Sequence, residues 1–290
     1  MSDEIAHAIL DTLRYADVFD YALTRDETHR YLIGVAATRA QIDAALDDPA
    51  RLNGAVKRSG DFLTLPEHEP SVAARLYWRD QATPLWRAAR FYARVIAHFP
   101  FVRMIAISGG LAMNNARDYD IDLLIVTAPK RLWLVRGLTV ALVRLARTRG
   151  VKLCPNLLLA ESALGIPTQD LYNAHELAQM VPLFGLDLYA RMQAQNVWAR
   201  TFLPNAFVAN APRDEQPLGH GELIAKKLGE FLLRGKFGDA IESWEMNRKI
   251  KKLTAQIPPH ADLVHFSAEV CRGFFSGHGK RILKEYYSKK

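Results

Sequence analysis

The sequence predicts an α+β chain in three parts: a small N-terminal helical unit closed by a hairpin, a central small mixed sheet with helices, and a helical C-terminal region. Three observations lead there. Helix-capping patterns and helical apolar spacing dominate the first fifty residues. A strand–turn–helix–strand order begins near residue 101, and amphipathic stretches resume beyond residue 166. The chain of 290 residues suits about two domains by size. Its 49% hydrophobic and 24% charged composition supports a sizeable core and excludes global disorder.

In the N-terminal unit, Ile5, Ala8, Ile9, Leu13 and Val18 lie at helical spacing. Thr24-Arg25-Asp26-Glu27 and Thr38-Arg39-Ala40-Gln41 have the form of capping boxes, the second leading into Ile42, Ala45 and Leu46. Ala55–Arg58, a Ser59-Gly60 turn and Asp61–Leu65 then read as a β-hairpin. Three helices followed by a hairpin make the order of a winged-helix domain, and residues 1–66 resemble one. Such domains bind DNA or serve as protein-contact modules. The third helix offers Arg39, Gln41, Asp43, Asp47 and Asp48, and three carboxylates facing phosphates are costly. A packing or dimerisation role therefore ranks above DNA reading. Residues 67–99 are connecting helices, over 69–80 and 84–98, with Pro84 in the first turn of the second. Their aromatics Trp78, Trp86, Phe91, Tyr92 and Phe99 are expected to pack against the next domain.

The central core, residues 100–165, holds strands over 102–107, 120–126 and 157–160, a brief helix over 111–115 and a long one over 131–149. In residues 166–290, helices are expected over 168–180, 183–197, 222–233, 237–253, 261–275 and from His278 onward. Breaks fall at Ala211–Pro217, the best linker candidate, and at Pro258-Pro259. Trp198 and Trp244 are expected to fill the helical core.

One short segment carries chemistry. Asp120 and Asp122, two apart in a strand, project to one side, and adjacent carboxylates call for a hard divalent cation between them. Ser108-Gly109-Gly110 ends the preceding strand, where glycines allow close backbone approach to a phosphate and the hydroxyl adds a donor. Asn114 and Arg117 lie between the two elements and could orient a phosphate or base. A phosphate cradle beside an acid pair suits phosphoryl or nucleotidyl transfer.

Ile107-Ser108-Gly109-Gly110, nine intervening residues and Asp120-Ile121-Asp122-Leu123 resemble the pattern of the nucleotidyltransferase superfamily that includes DNA polymerase beta, and specifically its small bacterial nucleotidyltransferase-domain branch. The resemblance covers residues 100–165. It implies that Asp120 and Asp122 bind magnesium carrying a nucleoside triphosphate, and that Ser108, Gly109 and Gly110 hold the terminal phosphates. An acceptor hydroxyl would attack the alpha phosphorus and pyrophosphate would leave. Active members carry a third carboxylate on a later strand, but the matching stretch, 151–160, contains no acid. Glu161 at its end is the nominated third acid; Asn156 is a weak carbonyl ligand, and Asp170 or Glu176 could be borrowed. The alternative is a nucleic-acid-binding or nucleotide-sensing regulator with a catalytically lapsed domain. The acceptor is left open among small molecules, proteins and RNA.

The net charge is +7, and residues 221–290, with 14 Lys/Arg and 8 Asp/Glu, supply +6 of it. That segment could attract nucleic acid or another polyanion, or keep the surface solvated. Cys154 and Cys271 fit no disulfide framework or metal spacing and read as buried thiols. The acidic start lacks a signal-peptide pattern, and the apolar stretch 132–145 is interrupted by Arg136 and Arg144, so a core helix is expected there. The expectation is a cytoplasmic protein with no membrane partner. His175 reads as a packed residue with no role beside Cys154, and His260, His265 and His278 are too scattered for zinc.

Overall fold

The computed structural model describes residues 2–48, 52, 54–207, 217–257, 263–274 and 278–289. The N-terminal unit comprises α1 (Ser2–Asp17), β1 (Leu23–Thr24), α2 (Arg25–Arg30), α3 (Arg39–Asp47), β2 (Lys57–Ser59) and β3 (Phe62–Thr64). Both capping boxes form. Thr24 Oγ1 accepts from the Glu27 amide while Glu27 Oε2 accepts from the Thr24 amide, and Thr38 and Gln41 exchange the same pair. The strands pair in the order β1-β3-β2, and Ile5, Ile9, Leu23, Leu32, Ile42 and Leu63 close a core of their own. Arginines of the same unit answer the acids of α3: Arg39 pairs with Asp43 and Asp26, Arg25 with Asp43, and Arg58 with Asp47.

The connecting region corrects an expectation. The two helices are one, α4 (Pro70–Ala97), with Pro84 inside it rather than at a first turn. The proline ring removes an amide donor, but Val72, Ala82, Ala89, Tyr92, Ala93 and Ile96 continue one buried stripe past it. Burial of that stripe outweighs the lost bond.

The central sheet contains β4 (Val102–Ser108), β5 (Asp120–Thr127), β6 (Lys152–Ala160), β7 (Val181–Phe184), β8 (Leu263–Phe266) and β9 (Val270–Phe274). Their order is β7-β4-β5-β6-β9-β8; β5 and β6 run parallel and the other neighbours antiparallel. Two stretches expected to be helical are thus partly or wholly strands. The helix expected over 183–197 is α8 (Leu186–Gln195), preceded by β7 on the edge of β4. Gly185 separates them at φ +80, beside the Arg103 carbonyl, where any Cβ would collide. The helix expected over 261–275 is the β8–β9 hairpin, whose turn is tied by Ser267 N to Val270 O at 2.8 Å and Val270 N to Ser267 Oγ at 3.0 Å. Each strand covers a sheet edge that local spacing could not reveal.

The other helices are α5 (Gly109–Ala112), α6 (Leu132–Arg147), α7 (Leu171–Gln179), α9 (Ala199–Phe202), α10 (His220–Leu233), α11 (Lys236–Thr254) and α12 (His278–Ser288). The linker expected at Ala211–Pro217 lies outside the described residues except for Pro217, as do Pro258, Pro259 and His260. Among the described residues no helix is long and apolar enough to cross a membrane.

Alternation along the strands divides the interior. Ile121, Leu123 and Ile125 of β5 pack with Tyr92, Ile96 and Trp133 beneath α4 and α6. Leu124 and Val126 face the other way, onto Tyr172, Leu177 and Met192 of α7 and α8. Asp120 and Asp122 share this second face, at the strand end where apolar packing stops. Trp198 borders this core, but Trp244 on α11 is 63% exposed and fills none. The inward side of α11 instead carries Glu242, whose carboxylate accepts from the Trp133 and Leu134 amides at 3.0 and 2.6 Å and so caps α6.

Pro84 is solvent-exposed, so its replacement removes a helix defect and little packing. Pro84→Ala should stabilise the protein by about 1–3 kcal/mol in urea unfolding. Unchanged or lower stability would contradict this account of α4.

Candidate active site

The antiparallel pairing of β4 with β5 sets Ser108 opposite Asp122. The chain then turns sharply at Gly109, with φ +63, into α5. A Cβ at position 109 would overlap the Asp122 carboxylate, and one at position 110 would crowd the Asn115 carbonyl. The two glycines therefore let the turn lie directly on the acid. The halves of the sequence motif are in contact.

The parallel pairing with β6 brings the rest. Asp120 lies opposite Lys152 and Asp122 opposite Cys154. Asp120 accepts from Lys152 Nζ at 3.0 Å and from the Cys154 thiol at 3.6 Å. Ligand atoms of Asp120, Asp122 and Cys154 lie within 4.8 Å of one another. Beyond Pro155 the register slips, so that Leu123 pairs with Pro155 and Leu124 with Leu157. Asn156 occupies the bulge, and its amide donates to Asp122 Oδ1. The strand expected to hold a third acid therefore presents a lysine, a thiol and an amide to the aspartates.

Asp122 and Asn156 face a cleft of about 410 Å³ between the sheet, α7 and the N-terminal unit. Ser108, Gly109, Gly110, Arg117, Asp122, Asn156 and Glu176 line it. Tyr15, Phe19, Tyr21 and Tyr31 form a wall from the N-terminal unit. The wall is anchored: the Tyr21 hydroxyl donates to the Met113 carbonyl at 2.7 Å, and Arg75 of α4 pairs with Glu27 at 3.0 Å. His175 stacks on Tyr15 with ring centroids 4.1 Å apart. Burial pushes its pKa down to about 3, so it is a neutral packing group.

Electrostatics single out two carboxyls. Burial, then the charges of Asp120 and Glu176, push Asp122 up to about 7, against the Asn156 hydrogen bond and the Lys152 charge. Burial likewise holds Glu176 at about 7, opposed by the charge of Arg272. Burial and the two aspartates raise Cys154 to about 12, leaving a thiol rather than a thiolate. Burial is the largest cause for all three groups, so the cleft keeps Asp122 and Glu176 partly protonated near neutral pH.

The residues nominated from sequence separate here. Ser108, Gly109, Gly110, Asp122 and Arg117 line the cleft, Asp120 lies beside Asp122, and Arg117 is also paired to Asp20 at 2.9 Å. Asn114 does not join them: its Oδ1 accepts from Trp86 Nε1 at 2.7 Å, fixing α4. Glu161 is also corrected. It follows the last residue of β6, with its amide bonded to Thr127 O at the far end of β5 from Asp120. Parallel pairing separates the ends of β6, and the acids that line the cleft besides Asp122 are Glu176 on α7 and Asp118. Sequence offered Glu176 only as a reserve, and nothing local marked the tyrosine wall, which depends on domain docking.

Asp122 is raised in the folded protein above its value near 4 in an unfolded chain. Folding therefore incurs no penalty from it below about pH 4 and loses stability as pH rises towards 7. The melting temperature of Asp122→Asn, relative to the unaltered protein, should rise between pH 4 and pH 8 in metal-free buffer. A pH-independent difference would show that Asp122 titrates normally. No family model matches the chain, and the search of curated proteins and of solved structures gave no match.

Proposed function

We propose that the cleft binds a nucleoside triphosphate with magnesium and transfers its nucleoside monophosphate to an acceptor hydroxyl. The observation that supports this most is the contact of the Gly109 turn with Asp122, which sets a phosphate-approach turn against an acid pair. The donor chemistry fits a hard cation: Asp120 and Asp122 offer carboxylate oxygens that can approach one ion together. Asp120 and Asp122 would hold magnesium, which when bound supplies charge neutralisation around the phosphorus centre.

The chain's own groups divide the remaining work. Ser108 and the amides at Gly109 and Gly110 receive phosphate oxygens, and Arg117 stands at the cleft edge to pair with another. The tyrosine wall offers faces for a base and excludes water from one side. Glu176, held near neutral pKa by burial, is suited to take the proton of the attacking hydroxyl. Lys152 is exposed, so its pair with Asp120 is weak and displaceable.

A second reading rests on Asn156 and Lys152. Where a third acid would stand there is an amide, and a lysine already partly neutralises Asp120. That arrangement favours a nucleotide sensor without turnover.

Calorimetry with ATP, with and without magnesium, tests the shared claim. The unaltered protein should bind more tightly with magnesium, and Asp120→Asn with Asp122→Asn should abolish that enhancement; an undiminished enhancement overturns the site. Pyrophosphate release separates the two readings. Transfer predicts release that falls by about a hundredfold or more in Glu176→Gln while nucleotide binding persists. Binding without any release across varied acceptors supports the sensor.

A further inference from the structure

Helix α10, in the C-terminal region, is inside out. Its inward side is polar. Lys226 is buried, and its ammonium donates to the Ala97 and Val102 carbonyls at 2.8 and 2.6 Å, over the Phe184 ring. Glu222 holds Arg94 and His98, and Glu230 holds Arg103 and the Phe101 amide. These bonds dock α10 on the turn between α4 and β4, with Leu233 at its end also packed against the core. Four large apolar residues point away: Ile224, Leu228, Phe231 and Leu232 recur at i, i+4, i+7 and i+8 and are 56%, 58%, 66% and 64% exposed. Phe237 and Trp244 of α11 are exposed to a similar degree, 67% and 63%. Four large apolar side chains at helical spacing on one face of α10 are far from the scattered exposure of an ordinary surface.

Cations border the patch. Lys227 and Arg234 flank the apolar stripe of α10 on one side, and together with Lys130, Arg131 and Arg103 they line a pocket of about 570 Å³ shared with Phe231. Glu230 and Asp239, the acids of that pocket, are already paired, with Arg103 and Arg131. Lys130 and Lys227 have no carboxylate partner among the described residues. Arg131 is 6% exposed, and its buried Nε has no hydrogen-bond partner among the described residues. The pocket therefore carries excess positive charge beside an apolar ridge.

We propose that this face docks on an anionic phospholipid membrane surface, with the ridge in the headgroup–acyl boundary and a lipid phosphate in the cationic pocket. An amphipathic face with flanking lysines and arginines has the chemistry for interfacial binding, which differs from the spanning segment whose absence made a membrane partner unexpected from sequence. A second copy of the chain fits less well, because a two-fold contact through the ridge would bring the same bordering cations together. The surface lies at the opposite end of β4 and β5 from the Asp122 cleft and does not depend on what that cleft does.

Co-sedimentation of the full chain with vesicles of phosphatidylcholine alone, or with added phosphatidylglycerol, tests the proposal, alongside sedimentation velocity without lipid. Partition onto the anionic vesicles only is expected, weakening with salt. Leu228→Ser with Phe231→Ser, and separately Lys227→Glu with Arg234→Glu, should each weaken partition by about tenfold or more, with circular dichroism unchanged. No partition of the unaltered protein overturns the proposal, as does partition that neither variant lowers. Self-association lost in the serine variant, without vesicle binding, would assign the face to a second copy instead.

Discussion

The central constraint is the contact between a glycine without a side chain and a carboxylate that is largely out of water. Gly109 must take a left-handed turn against Asp122, and Asp122 must sit near Asp120 and Glu176 in a poorly hydrated cleft. Like charges at low dielectric raise each other's proton affinity, and a proton, a lysine or a bound cation relieves them. Asn156 and Lys152 give partial relief; the rest is available to a ligand. The cost of folding such a site falls on the sheet, whose packed faces hold β4, β5 and β6 in register regardless of the charges at their ends.

The same sheet explains how distant parts of the chain build one site. Alternation buries Leu124 and Val126 beneath α7 and leaves Asp120 and Asp122 beyond the apolar layer on the same face. Helix α7 brings Glu176 and His175, and stacking of His175 on Tyr15 joins α7 to the N-terminal unit. Arg75, Glu27 and Tyr21 lock that unit to α4 and to the loop after α5. The N-terminal unit thus forms one wall of the cleft.

Much of this was legible from local chemistry. Threonine caps with matching Glu and Gln fix helix starts, and they form as read. The Ser-Gly-Gly turn and the alternating aspartates are set by neighbours two residues away, so their geometry could be inferred. What was not legible depended on distant partners. The strands at 181–184, 263–266 and 270–274 exist because sheet edges need covering, and Pro84 is tolerated because a long apolar stripe continues past it. Glu161 was the acid nearest in sequence to the third strand, but parallel pairing carried it to the wrong end, while Glu176 arrived on a helix. The outward apolar face of α10 was equally hidden, since its periodicity matches an ordinary buried helix until Lys226 is seen inside.

The site depends on the state of one carboxyl group, which an NMR titration of the Asp122 side chain in the whole chain would read directly. Without divalent cations it should titrate near pH 7, and added magnesium should lower that midpoint. A midpoint near 4, indifferent to magnesium, would contradict the charged cleft and the cation it is argued to hold.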